Sequence, residues 1–314
     1  MSLEARPVAT DAIERLRASV GRVVLGKSDV VDLALTAVLA SGHVLVEDVP
    51  GVGKTTLASA LATAMGGTFA RIQFTADLLP GDITGVSVLQ DGGFTFRPGP
   101  VFANVVMADE INRSSPRTQS ALFEAMEEGR VTVDGHTRPL PRPFCVLATQ
   151  NPYDLHGTYP LPDSQLDRFL MRLSIGYPDE DSERIVLRRH DRRPTLPEAV
   201  TTPEDLEALV RRAEQLPMPL EVEDYVMALV RRSRQDGRFL RGISTRAALG
   251  LVRAARSRAL VEGRDFVIPE DVRRLAVPVL AHRVVPRVGG GPAGRGGRDA
   301  IEALLSEIRP PGGP

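Results

Sequence analysis

From about residue 10 to residue 177 the chain alternates short apolar runs with stretches of helical periodicity. Five runs, His43–Val46, Phe69–Phe74, Asn104–Ala108, Phe144–Ala148 and Met171–Ile175, consist mostly of Val, Ile, Leu, Met, Phe and Ala. Near-continuous apolar strands separated by helices predict a parallel five-stranded sheet buried on both faces. One intervening helix declares both of its ends. Ser115 is placed to cap it, Pro116 suits its first turn and Gly129 stops it. Ala121, Leu122, Ala125 and Met126 form its apolar stripe.

Beyond residue 179 the strand signal vanishes. Asp181–Asp191, Pro203–Gln215, Glu221–Gln235, Thr245–Glu262 and Pro269–Arg283 have the spacing of amphipathic helices. Pro269 followed by Glu270 and Asp271 is the favoured chemistry of a helix start. The pattern therefore predicts an α/β domain over residues 1–178, including an N-terminal helix, and a small all-helical domain over 179–285. The remainder, 286–314, is rich in Gly and Pro; Val288–Arg298 reads as flexible, with a short helix at Asp299–Ile308.

Composition narrows the function. A length of 314 residues accommodates two domains with real cores. The formal net charge of -1 lacks the basic excess of a protein that grips nucleic acid along its surface. The one cysteine, Cys145, lies in an apolar strand and reads as a buried, inert thiol. The first residues lack a secretion-type apolar core, and Val30–Ala40 is short and broken by Asp32. A soluble, cytoplasmic protein without membrane insertion is expected.

The chemistry begins where the first strand runs into Asp48-Val49-Pro50-Gly51-Val52-Gly53-Lys54-Thr55-Thr56 and a helix. Strand, glycine-rich loop and helix N-terminus form a phosphate cradle, in which backbone N–H groups and the helix dipole meet phosphate oxygens. Lys54 is placed to reach the β- and γ-phosphates, and the Thr55 hydroxyl to ligate Mg²⁺. The strict consensus has glycine where this chain has Asp48. A second apolar strand ends in Asp109-Glu110, at the carboxyl edge of the sheet, where ligands of such sheets bind. Asp109 fits an Mg²⁺ role, Glu110 that of the base or positioner of the attacking water. No Asn-Lys-x-Asp guanine reader and no Ser-Gly-Gly signature is present, so ATP is the expected nucleotide.

The combined motifs resemble those of MoxR-type AAA+ ATPases of the helix-2-insert branch. The likeness rests on Val46–Thr55, Arg71–Thr75, Leu78–Gly85, Gly99–Asn104 and Asp109–Arg113, then on Ala148–Pro152, Leu161-Pro162, Leu166–Phe169 and Gly242–Ala247. It runs in order over residues 10–285, and Asp48 is a form this family commonly uses. The resemblance implies that Asn151 is the sensor 1 residue beside the γ-phosphate, and that Arg246 is the sensor 2 residue reaching from the helical domain to the phosphates. Arg246 also stands in the first turn of its helix, where its charge opposes the dipole. Arg168 resembles the arginine finger offered to a neighbour's nucleotide, with Arg113 as its competitor; a hexameric ring is thereby implied.

Two insertions complete the likeness. Gly129–Arg138 reads as a β-hairpin turning at Asp134-Gly135 and matches the pre-sensor-1 hairpin. Thr75–Gln90 matches the helix-2 insert. In this family such loops contact a client protein, and a partner with a von Willebrand A domain is typical; none of that domain's Asp-x-Ser-x-Ser signature occurs in this chain. The expected function is ATP-driven, chaperone-like remodelling of a client, or metal or cofactor insertion into it. The rivals are a helicase-like motor, to which Arg130, His136, Arg138 and Arg142 could supply phosphate contacts, and a nucleotide-binding scaffold. The first is disfavoured by neutral charge and loops without interleaved aromatics. The second would leave Lys54, Thr55, Asp109, Glu110, Asn151 and Arg168 idle.

Overall fold

The computed structural model describes residues 5–90, 93–150, 158–188, 196–287 and 295–312. Helices α1 (Ala5–Gly21) and α2 (Ser28–Leu39) lead into β1 (Val44–Glu47), the phosphate-loop segment, α3 (Lys54–Ala64) and β2 (Phe69–Gln73). A single turn, α4 (Pro80–Thr84), and the hairpin β3 (Gly85–Gln90) and β4 (Gly93–Pro98) precede β5 (Val105–Asp109). Then come α5 (Pro116–Glu128), the hairpin β6 (Arg130–Val133) and β7 (His136–Pro139), β8 (Cys145–Gln150), α6 (Asp163–Leu166) and β9 (Met171–Leu173).

The five apolar strands form one parallel sheet in the order β2-β5-β8-β1-β9. Successive residues point to opposite faces. Val44, Val46, Val105, Met107, Cys145 and Leu147 pack with α1, α2 and α3 in one cluster. Leu45, Val106, Ala108, Val146 and Ala148 pack with Leu122, Phe123 and Met126 of α5 in the other. The α5 boundaries are those expected: the Ser115 Oγ accepts from Thr118 N, and Gly129 turns at φ 60.

After α7 (Glu180–Arg188) the second region holds α8 (Pro203–Gln215), α9 (Leu220–Gln235), α10 (Thr245–Val261), α11 (Pro269–Leu280) and α12 (Arg295–Glu307). It is helical apart from a short antiparallel ladder of β10 (Phe239–Arg241) with β11 (Val285–Pro286). Its core is continuous with the α1–α3 face of the sheet, and Arg17 of α1 ties the two regions, pairing with Asp32 and donating to the Val261 carbonyl.

Two expectations need correction. The helix-2 insert does not end at Gln90; its hairpin runs on to Pro98, in register from Gly85↔Pro98 to Gln90↔Gly93. Alternating Phe94 and Phe96 carry the second strand. The terminal helix starts at Arg295, inside the stretch expected to be flexible, and it is docked: Ile301 and Leu304 are buried, and Glu307 pairs with Arg232 and Arg238. Glycine serves close approach there, since a Cβ on Gly297 would lie 2.1 Å from the Ala281 carbonyl oxygen. The rest of that stretch, residues 288–294, lies outside the described residues.

Candidate nucleotide site and a paired-arginine face

The loop after β1 turns through positive φ at Gly51 (87) and Gly53 (91), a conformation that glycine adopts without strain. Gly53 then stands at the N-cap of α3, so the free N–H groups of the first turn point into the space in front of the loop. A cavity of about 320 Å³ opens there, lined by Pro50, Gly51, Gly53, Lys54, Thr55, Thr56, Asp109 and Glu110, with Arg71, Met107, Thr149 and Gln150. Nothing lies within 4 Å of the Cβ position of Gly51 or Gly53, which keeps the cradle open. Val52 turns its side chain into the core and is not among the residues lining this space.

Lys54 Nζ donates to the carbonyls of Asp48 (2.9 Å) and Val49 (3.0 Å). Burial lowers its pKa from the usual value, against the opposing pull of Asp48, Asp109 and Glu110. Asp48, expected to bind nucleotide, faces elsewhere. Its Oδ2 accepts from Ile175 N (2.6 Å), Gly176 N (2.7 Å) and Ser174 Oγ (3.1 Å), and Oδ1 accepts from Val49 N (3.0 Å). The carboxylate thus fastens the root of the loop to the segment leaving β9. A glycine in its place would lack that tie.

The acidic pair is held by neighbours to which the sequence reading gave no role. Thr149 Oγ1 donates to Asp109 Oδ1 (2.6 Å) and accepts from Glu110 N (2.8 Å). Arg71 Nη2 binds Asp109 Oδ2 (2.5 Å), and Gln73 Nε2 donates to Glu110 Oε2 (3.1 Å). Glu110 sits in the left-handed region at φ 54, an uncommon conformation that recurs at active sites. The available signal was two polar residues on one face of β2, Arg71 and Gln73, flanking the buried Ile72. Arg113 Nε lies 3.2 Å from Glu110 Oε2 of the same chain, so the competing finger is a neighbour of its own site.

Arg168 and Arg246 are gathered at the opposite edge of the sheet. The phosphate loop follows the end of β1, whereas Arg168 precedes the start of β9, and strands of this length separate the two edges by roughly 13–20 Å. Arg168 Nη1 donates to the Phe123 carbonyl (2.7 Å) and pairs with Glu127 Oε2 (2.8 Å). Arg246 Nη1 lies 3.3 Å from Glu127 Oε1, and its Nε 3.9 Å from Asp167. Within one chain Arg246 therefore stands away from the phosphate loop that the resemblance has it reach. Asn151 lies outside the described residues.

Comparison with known proteins agrees with this geometry. Residues 43–171 match the family model "ATPase family associated with various cellular activities (AAA)", and residues 231–303 match the AAA lid domain. The chain is 45% identical over 309 residues to the uncharacterized protein YeaC of Bacillus subtilis, covering 97% of this chain and 95% of that one. It is 42% identical over 284 residues to Chaperone MoxR1 of Mycobacterium tuberculosis, covering 87% and 75%. A crystal structure of a putative ATPase from Cytophaga hutchinsonii superimposes with a TM-score of 0.90 at 36% identity, over 98% of this chain and 97% of that one. An open phosphate cradle facing an acidic pair, on a five-stranded parallel sheet followed by a lid, and likeness to these relatives along nearly the whole chain place it among the MoxR-type AAA+ ATPases.

Proposed function

We propose that the chain hydrolyses ATP in a ring of identical subunits, each site being completed by Arg168 and Arg246 of the next subunit, and uses the cycle to remodel a client protein. The observation that carries this reading is the separation of the two arginines from the phosphate loop by the length of the sheet. A subunit cannot bring both to its own nucleotide without unfolding β9, whereas a second copy can present them. Charge of this kind on the transferring phosphoryl group is worth orders of magnitude in rate.

Within one subunit, Lys54 and the N–H groups of the loop hold the phosphates, and Glu110 orients the attacking water. The Thr55 hydroxyl and Asp109 carboxylate are hard oxygen donors on the same cavity and suit Mg²⁺. That ion, when bound, neutralises charge on the phosphate oxygens. Asn151 is assigned as sensor 1 from its motif. The β3–β4 and β6–β7 hairpins are the client-facing parts; they touch where the Arg138 guanidinium lies 3.8 Å from the centroid of the Phe96 ring. At the end of β3–β4, the cross-strand pair Leu89 and Phe94 is 69% and 79% exposed, an apolar tip suited to a polypeptide. A von Willebrand A domain protein is the expected partner, in the cytoplasm. Among the described residues no helix is long and apolar enough to cross a membrane.

The test is specific ATPase activity against protein concentration, with Arg168→Ala chains mixed into wild type in rising proportion. Activity that climbs with concentration and falls faster than the variant fraction supports shared sites. Activity independent of concentration and lost in simple proportion would overturn the ring mechanism.

A further inference from the structure

Glu127 occupies the last turn of α5, where a negative charge opposes the helix dipole. Arg246 occupies the first turn of α10, where a positive charge does the same. Each is misplaced for its own helix, and the two meet: Glu127 Oε1 takes Arg246 while Oε2 takes Arg168. One carboxylate therefore holds two guanidinium groups that would otherwise repel. The backbone beneath Arg168 is fixed separately. Buried Arg283 donates to the carbonyls of Asp167 (3.0 Å) and Phe169 (2.8 Å), and its Nε lies 3.3 Å from Asp167 Oδ1. The side chains of Glu127 and Arg246 stay 38% and 50% exposed, so this face is open to a neighbour. Ion pairs at that exposure add little to folding stability, which leaves their arrangement to another purpose.

We infer that Glu127 is a positioning residue for hydrolysis, which binds Arg168 and Arg246 into one unit presented to the adjacent subunit's nucleotide. Glu127 touches no phosphate in this scheme; it acts through the arginines. Loss of its charge leaves Arg246 with only its 3.9 Å approach to Asp167, and Arg168 with the Phe123 carbonyl and ring. The inference rests on the shared-site reading of the two arginines.

The experiment uses the full chain with Glu127→Gln, Arg246→Ala, Arg168→Ala and Lys54→Ala. For Glu127→Gln, kcat for ATP is expected to fall by roughly ten- to a hundredfold, the scale of a misplaced catalytic group, with KM and melting temperature unchanged. Adding Glu127→Gln to Arg246→Ala should cost little more, because both remove the same unit. Lys54→Ala chains bind no nucleotide productively but keep their arginines. Mixing them with Arg168→Ala chains should restore activity that neither has alone, and mixing them with Glu127→Gln chains should raise activity above the sum of the two preparations. Failure of the Arg168→Ala mixture to recover would sink the shared-site reading itself. Recovery there, with Glu127→Gln losses that multiply with those of Arg246→Ala, would overturn the role of Glu127 alone.

Discussion

Gln73 Nε2 donates to Glu110 Oε2 at 3.1 Å, while the Oε1 of the same amide accepts from Arg71 Nη2 at 3.0 Å. Gln73 thereby joins the two halves of the acidic pair, since Arg71 holds Asp109. The amide can serve both because it offers a donor and an acceptor at once, which neither Glu nor Ala does. Hydrogen bonds to charged groups contribute about 1.5–3 kcal/mol, enough to set the direction of a half-buried carboxylate.

Gln73→Ala is expected to lower kcat by roughly tenfold, in line with the loss of one charge-assisted bond, and to leave nucleotide affinity unchanged. Gln73→Glu should be worse, because it places a carboxylate against Glu110 and captures Arg71. Steady-state ATPase rates with a separate nucleotide-binding titration check both. A rise in kcat for Gln73→Ala would show that the amide restrains Glu110 instead of orienting it.

Asp48 makes a prediction that runs against the motif. Asp48→Gly restores the strict loop consensus, yet it removes four hydrogen bonds from a carboxylate that is 9% exposed. Three of their donors, on Ser174, Ile175 and Gly176, lose their partner. The expected loss is about 3 kcal/mol, the scale for deleting one partner of a buried charged network. Thermal melting should fall by roughly 6–12 °C, with nucleotide binding retained in protein kept well below the transition. An unchanged melting temperature would remove the anchoring role.

The sheet and the helices of the second region were legible because their signals are local. The inner strands β1, β5 and β8 are apolar on both faces, and Pro203, Pro269, Ser115 and Gly129 mark helix ends within a few residues. The phosphate loop and acidic pair were legible for the same reason, each being one contiguous run. What stayed hidden depends on tertiary approach. Asp48 reads as a loop residue until β9 brings Ser174–Gly176 alongside it. Arg71 and Gln73 acquire roles only when β2 pairs in register with β5. The meeting of Arg246 with Glu127 was hidden because motif order says nothing of which sheet edge a helix covers. The docked terminal helix was missed because glycine signals freedom locally, whereas Gly297 uses its missing side chain for contact.

Gly297→Ala tests that last point. Alanine in a helix is ordinarily more stable than glycine by about 0.5–1 kcal/mol. Here the added methyl meets the backbone carbonyl of Ala281, with no flexible side chain to yield. A net destabilisation of about 1–3 kcal/mol is expected, the range for overpacking. Calorimetry that showed a higher melting temperature would mean α12 is not seated against α11 in solution.

Two buried histidines set the acid limit of the fold. Burial pushes His43 down to about 4, and burial with neighbouring Arg283 pushes His282 down to about 3. His43 has a geometric reason as well: Nδ1 accepts from Val146 N–H (3.1 Å) while Nε2 faces the Met126 carbonyl (3.0 Å), an arrangement only the neutral ring satisfies. Unfolded histidine titrates near 6.5, so below that pH the unfolded chain binds protons that the folded chain refuses. These groups add full stability above about pH 6.5, and it is lost as the pH falls toward 4 and 3. At pH 5 the loss is about 2 kcal/mol for each, from the separation of folded and unfolded titration. Urea midpoints between pH 8 and pH 5 should therefore stay level to about 6.5 and then decline. In His43→Gln, which cannot take up a proton, the decline should be about half as steep, whatever the variant's stability at pH 8. An identical slope in wild type and variant would show that His43 is not held neutral by the fold.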